Sequence, residues 1–305
     1  MIRSLLSLLL ILGLVFFVAS CEQDDISTND AVPTEVIDQL IHMGFNPDGI
    51  IKMDDGYLIE NDILITEEFL AAEITEHRVP QAEQYSTNNL VSTNGSRVIT
   101  VYMDAPSASG NSTVASTGNG NSGNARGGKP KGGGGGGGTQ FDQNYANALQ
   151  IAIDRYNAEN LEISFQRVTS ASGADITFSR LSKRDERRGI LGSAGFPSSG
   201  GDPFGTINMS GIIASSYGYS TEAIATVFAH EMGHCIGFRH TDYFDRSISC
   251  GGGTSNEGDA GIGANLIPGT PAGATLNAGS FMLSCSGGGD RPFNNDDQTA
   301  LDFLY

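Results

Sequence analysis

Basic residues are scarce: 17 Lys and Arg stand against 35 Asp and Glu, for a formal charge of −18. A protein that neutralises a phosphate backbone needs a face rich in Lys and Arg, so this balance argues against nucleic acid as a partner. Long apolar runs are also missing. The run from Leu5 to Val18 has 14 residues, too short for an ordinary membrane-spanning helix. Tryptophan is absent, cysteine is limited to four residues and histidine to five, while 41 of the 305 residues are Gly and 39% are apolar. Such a composition leaves part of the length outside any packed core, and the remainder suffices for one or two domains.

The short apolar run has a purpose suited to its length. Arg3 precedes it, and Val18-Ala19-Ser20-Cys21 closes it with small residues, the layout of an export signal. These four residues resemble the lipobox of bacterial lipoproteins. The resemblance implies a signal peptide over 1–20, cleavage before Cys21 and lipidation of Cys21, with the mature protein held on a membrane by its acyl chains. The acidic Glu22-Gln23-Asp24-Asp25 that follows resembles surface-export signals of bacterial lipoproteins, so an outer-membrane or cell-surface location is expected. An ordinary secretory signal, giving a freely soluble product, is the alternative.

Export permits disulfides. With Cys21 lipidated, Cys235, Cys250 and Cys285 remain, enough for one intramolecular bridge. Cys250 and Cys285 both lie in Gly- and Ser-rich stretches that a crosslink would restrain, so they are the expected pair. Cys235 is expected as a buried thiol on a helix.

Charge divides the chain. Residues 22–83 carry 16 acidic residues against Lys52 and Arg78, whereas 84–305 carry 19 against 14, which predicts an acidic module over 21–88 joined to a larger domain over 89–305. In the module, Val36 to Met43 has helical apolar spacing, and Gly49 to Ile65 alternates like a hairpin around Asp54-Asp55-Gly56. Val98 to Met103 reads as a buried strand. Residues 107–140 are Gly-, Ser- and Asn-rich, with seven consecutive Gly at 132–138, and read as a flexible insert. Phe141, Tyr145, Leu149, Ala152 and Tyr156 predict an amphipathic helix over 141–158. Strands follow at 163–168, 175–178 and 205–209, and a second helix begins near Ser220, which can cap it, with Glu222 in its first turn.

That second helix runs into His230-Glu231-Met232-Gly233-His234-Cys235-Ile236-Gly237-Phe238-Arg239-His240, the spacing His-Glu-x-x-His-x-x-Gly-x-x-His. His230 and His234 lie one helical turn apart on one face and can grip one ion. Gly237 can adopt a positive φ, end the helix and return His240 to the same point. Three imidazoles suit zinc and leave a fourth position open, the mark of a catalytic site. Three of the five histidines fall in this pattern. His42 and His77 lack ligand spacing and read as solvated residues. Calcium is conceivable in an exported protein of this kind, but no loop has a recognisable oxygen-ligand spacing.

The segment HEMGHCIGFRHTD resembles the zinc segment of the metzincin metallopeptidases, and more closely that of the bacterial HEIGH metallopeptidases. The resemblance implies an α+β, zincin-like catalytic domain, a twisted sheet with a backing helix and an active-site helix. It implies a Met-turn at Ser280-Phe281-Met282-Leu283-Ser284, with Met282 beneath the metal. Ser284 stands where some metzincins carry a tyrosine ligand. Ala174 to Phe178, Ile267 to Pro271 and the helix around Asp296 to Leu301 also resemble this family.

The implied chemistry is peptide hydrolysis: zinc on His230, His234 and His240 acidifies a water, and Glu231 takes its proton as general base. The implied partner is a protein or peptide substrate, added as a strand to an exposed sheet edge near Gly205 to Met209. The acidic module resembles a pro-segment. Tyr57 to Ile63 is similar to the astacin switch, in which the Asp of Glu-Gly-Asp blocks the open metal position; Asn61 replaces that Gly, and Asp62 becomes the candidate blocking ligand. Two other readings remain at this stage: a binding lipoprotein that keeps zinc without turnover, and a zinc exopeptidase. Arg239 and Asp242, which flank the third ligand, are as suited to holding the turn as to touching substrate.

Overall fold

A computed structural model describes residues 32–43, 45, 49–71, 84–107, 140–258, 262–271, 273–274 and 279–305. The export signal, Cys21, His77 and nearly all of the 107–140 insert lie outside the described residues, as does the side chain of His42. No helix among the described residues is long and apolar enough to cross a membrane. The residues from Val32 to the C-terminus form one compact unit.

The N-terminal part opens with helix α1 (Thr34–His42) and a three-stranded antiparallel meander, β1 (Ile51–Met53), β2 (Gly56–Ile59) and β3 (Ile63–Ile65). The expected hairpin thus gains a third strand. Its buried Tyr57, Ile59, Ile63 and Ile65 join Leu40 of α1 in a small core that closes on Phe196 and Ile262 of the larger part.

Residues 84–87 depart from the module to which their position assigned them. Here β4 (Tyr85–Ser86) pairs with β10 (Asn265–Leu266), and Tyr85 O accepts the Arg239 amide at 2.9 Å. The backbone of this segment is therefore built into the larger part, next to the motif.

The larger part is a five-stranded sheet in the order β6-β5-β7-β9-β8. Strands β5 (Arg97–Met103), β6 (Ile163–Val168), β7 (Ile176–Arg180) and β9 (Thr206–Met209) are parallel, and β8 (Gly192–Ser193) runs antiparallel to β9. Alternation in β5 sends Ile99, Val101 and Met103 into the core and leaves Val98 exposed, as a strand covered on one face requires. One expectation fails at this point. Gly205 to Met209 is not the free edge, because β8 covers β9.

Two helices pack on the sheet. Helix α2 (Gln143–Ala158) starts where Asp142 accepts the Asn144 and Tyr145 amides, and Tyr145, Leu149, Ala152 and Tyr156 form its buried stripe. Helix α3 (Thr221–Cys235) is capped by Ser220 Oγ, which accepts the Ala223 amide, and is buried from Ala223 to Cys235. Tyr156 ties them together by donating its hydroxyl to Ala229 O at 2.8 Å. The C-terminal helix α4 (Asn295–Leu304) begins with a capping box between Asn294 and Asp297. Asp297, buried, also accepts from Gln84 Nε2 and Ser280 Oγ, each at 2.6 Å, joining the β4 segment, the turn around Met282 and α4. Burying a carboxylate is costly unless its oxygens are paired. Here both are.

Candidate metal centre and active site

Helix α3 delivers His230 and His234 one turn apart, and the chain leaves it at Gly237. With φ at 107°, Gly237 reverses the chain, and a Cβ there would meet Asn89 O at 3.0 Å and Leu90 Cδ2 at 2.8 Å. The reversal brings His240 over the helix. His234 Nε2 and His240 Nε2 then lie 3.1 and 3.3 Å from His230 Nε2. A second glycine admits the floor of the site, for a Cβ on Gly233 would stand 2.6 Å from Met282 Sδ. Met282, buried beneath the helix, accepts the Thr241 amide on its carbonyl at 2.9 Å.

The outer ring nitrogens settle what these contacts are. His230 Nδ1 donates to Phe281 O and His234 Nδ1 to Phe238 O, both at 2.9 Å. A carbonyl can only accept, so in the neutral rings the proton sits on Nδ1 and the Nε2 lone pairs point at one another. Lone pairs at 3.1–3.3 Å repel unless a cation lies between them. Donors about 2.0–2.1 Å from one tetrahedral ion lie about 3.3 Å apart, so the spacing fits zinc.

The fourth corner belongs to Asp62. Its Oδ2 lies 3.0 Å from His240 Nε2 and 3.7 Å from His230 Nε2, and ligand atoms of Asp62, His230, His234 and His240 all fall within 4.8 Å of one another. The β2–β3 turn presents it. Glu60 and Asn61 have φ of 58° and 73°, and asparagine is among the few residues besides glycine that enter this region at modest cost. Asn61 in place of the expected Gly therefore preserves the turn. Arg246 Nη2 holds it from the other side by donating to Glu60 O at 2.8 Å.

Strand β3 then runs along the edge of the main sheet. Ala194, just past β8, donates its amide to Asp62 O at 3.0 Å and accepts the Leu64 amide at 2.9 Å, a parallel bridge between Ile63 and Ala194. The free edge that sequence reasoning placed at 205–209 is thus at 192–194, where the acidic segment occupies it.

Glu231 is buried beside the cluster and its Oε2 has no hydrogen-bond partner among the described residues. Burial and the nearby Asp62 carboxylate push its carboxyl well above the ordinary range. A cleft of about 80 Å³ opens there, bordered by Asp62, His230, Glu231, Val227, Phe281 and Arg291.

Sequence reasoning missed Glu257. Fully buried, it accepts from His240 Nδ1 at 2.6 Å and Ser284 Oγ at 3.1 Å, with Arg246 Nε 3.4 Å and Arg239 Nη2 3.5 Å away. Burial would raise its pKa, but His240 and the two guanidiniums bring it down to about 2. It has no spacing signal, since it comes from a Gly-rich loop 17 residues after His240. Arg239 donates to Gly263 O and Gly258 O, both at 3.0 Å, and so shapes that loop. Asp242 accepts from Ser284 N and Ser249 Oγ at 2.9 and 2.6 Å, so both flanking residues serve the turn. Cys250 and Cys285 are joined, with an S–S distance of 2.08 Å, and Cys235 is a buried free thiol.

The dual-action HEIGH metallopeptidases match residues 134–305. The chain belongs to the dual-action HEIGH metallopeptidase family. It is a metallopeptidase, acting on protein or peptide substrates, and a sheet with helices and a buried His cluster fits a zincin-like domain. No curated protein matches the chain. Among solved structures, that of myroilysin is 16% identical over 71% of this HEIGH peptidase and 96% of that chain, with a TM-score of 0.36. The GM1-bound form of the ECX AB5 holotoxin is 18% identical over 75% and 81%, with a TM-score of 0.33.

Proposed function

We propose that the chain is a zinc endopeptidase made as a lipid-anchored zymogen, with residues 22–83 as its inhibitory segment. His230, His234 and His240 would hold the zinc, Glu231 would move the proton, and Cys21 would carry the lipid at the outer membrane or cell surface. The observation that carries this reading is the pairing of Asp62 at the fourth corner with β3 along the sheet edge. One segment thereby covers both the candidate metal and the groove in which an extended peptide would lie.

Zinc held by the three imidazoles supplies a Lewis acid that polarises a carbonyl and acidifies a water. The chain's own residues do the rest. Phe281 O, Phe238 O and Glu257 hold the Nδ1 protons and so keep the three Nε2 lone pairs converging. Glu231, as a carboxylate with its unpartnered Oε2 in the cleft, accepts a proton from the attacking water and passes it to the leaving amine nitrogen. The β8 edge, once freed of β3, offers backbone groups to align the substrate. Asp62 cannot share its corner with a reacting water, so the uncut chain is held inactive.

The test is Asp62→Asn in the uncut, zinc-loaded chain, with casein as substrate. The reading expects cleavage above that of the uncut parent, because an amide is a far weaker ligand than a carboxylate. Equal activity in parent and variant would end the zymogen assignment of Asp62.

A further inference from the structure

We propose that Arg291 makes this peptidase select an acidic side chain on the amine side of the bond it cuts. The proposal rests on the endopeptidase reading above and specifies its substrate.

The cleft beside Glu231 is walled mainly by apolar groups, Leu191, Val227, Phe281 and Leu283, and Arg291 also lines it. Its position along the reaction follows from Glu231. The residue that hands a proton to the leaving amine must stand on the amine side of the scissile bond, so the cleft that Glu231 borders receives the side chain of the residue whose amine departs.

Arg291 is firmly held in this wall. Its amide donates to Thr226 Oγ1 at 2.8 Å, one helical turn before His230, and its Nη1 donates to Cys285 O at 2.9 Å, a carbonyl fixed by the Cys250–Cys285 disulfide. The adjacent Asp290 is taken by Arg155, whose Nη2 lies 2.6 Å away. Among the described residues no carboxylate forms an ion pair with Arg291.

A guanidinium is always charged and presents donors in a planar fork suited to a carboxylate. In a partly desolvated apolar cleft the pair gains more than it would on an open surface, and burial presses on the Arg291 charge more than the Asp242 carboxylate, which acts on it without forming an ion pair, relieves it. A neutral side chain would fill the walls but leave the guanidinium without a carboxylate beyond its Nη1 bond to Cys285 O. Asp or Glu satisfies both.

The experiment uses the full chain, loaded with zinc and nicked by trypsin, which can cut at Arg78, with the trypsin then quenched. Internally quenched peptides differ only in the residue after the scissile bond: Glu, Gln or Leu. The proposal expects kcat/KM for Glu over the near-isosteric Gln of about 10- to 100-fold, the range for a hydrogen bond to a charged group. That ratio should fall toward one in Arg291→Gln and be partly kept in Arg291→Lys, which retains the charge without the fork.

Cleavage with no Glu preference, or a preference that survives Arg291→Gln, overturns the assignment. A failure of the underlying reading looks different: none of the peptides is cut, and the chain is indistinguishable from Glu231→Gln. That result overturns the endopeptidase and the Arg291 selection together.

Discussion

Two carboxylates with opposite environments carry the residue-scale chemistry. Glu231 is pushed up by burial and the neighbouring Asp62 charge, while Glu257 is drawn down by His240 and two guanidiniums, a contrast that fits the proposed division into a proton carrier and a fixed counter-charge. Glu231→Gln should retain zinc, measured by elemental analysis, while casein cleavage by the processed chain falls about 10²–10⁴-fold. Glu257→Ala should instead weaken zinc about 10- to 100-fold, read by chelator competition, since His240 loses the partner that sets its tautomer. The first residue was legible in the sequence and the second was not. Helical spacing of His-Glu-x-x-His places Glu231 by local geometry alone, whereas Glu257 and Arg291 arrive from Gly-rich stretches through contacts that have no period.

At the scale of elements, strands and helices with clear apolar spacing were readable: a helix over 141–158, a second beginning at its Ser220 cap, and a strand from Val98 to Met103, found at 143–158, 221–235 and 97–103; the Asp142 cap and the exposed face at Val98 were not. The sheet edge was not. Gly192 and Ser193 form a two-residue strand with no side-chain alternation to betray it, so β9 looked like the border. The backbone of β3 gives a sharp handle on that edge. The Leu64 amide points away from its own hairpin to Ala194 O, so Leu64→Pro removes the bond between β3 and the main-sheet edge without taking a ladder bond from β2. The uncut Leu64→Pro chain should cleave casein faster than the uncut parent, and unchanged masking would show that the strand pairing does not hold the segment in place.

For the whole molecule, metal and fold are linked. An ion held by three histidines exists as a site only in the folded chain, so its removal should lower stability by RT ln(1 + [Zn]/Kd), about 3 kcal/mol at a hundredfold excess over Kd. Chelation should therefore drop the melting temperature by several degrees, and zinc should restore it. An unmoved melting temperature would mean that the histidine cluster binds no metal. The charge asymmetry noted in the sequence gains meaning at this scale, for the acidic segment is the one that reaches the cluster. Cutting between the segment and Gln84 would also separate the enzyme from an anchor at Cys21, because the backbone from 84 onward is built into the larger part.

The most direct test of the account is the casein cleavage rate of the zinc-loaded chain before and after tryptic processing, with Glu231→Gln processed in parallel. Activity that appears only after processing, at about one zinc per chain, and is lost in Glu231→Gln is the expected result. Equal cleavage by the uncut and processed chains would contradict the blocked site, and no cleavage by either, with zinc bound, would contradict the peptidase mechanism itself.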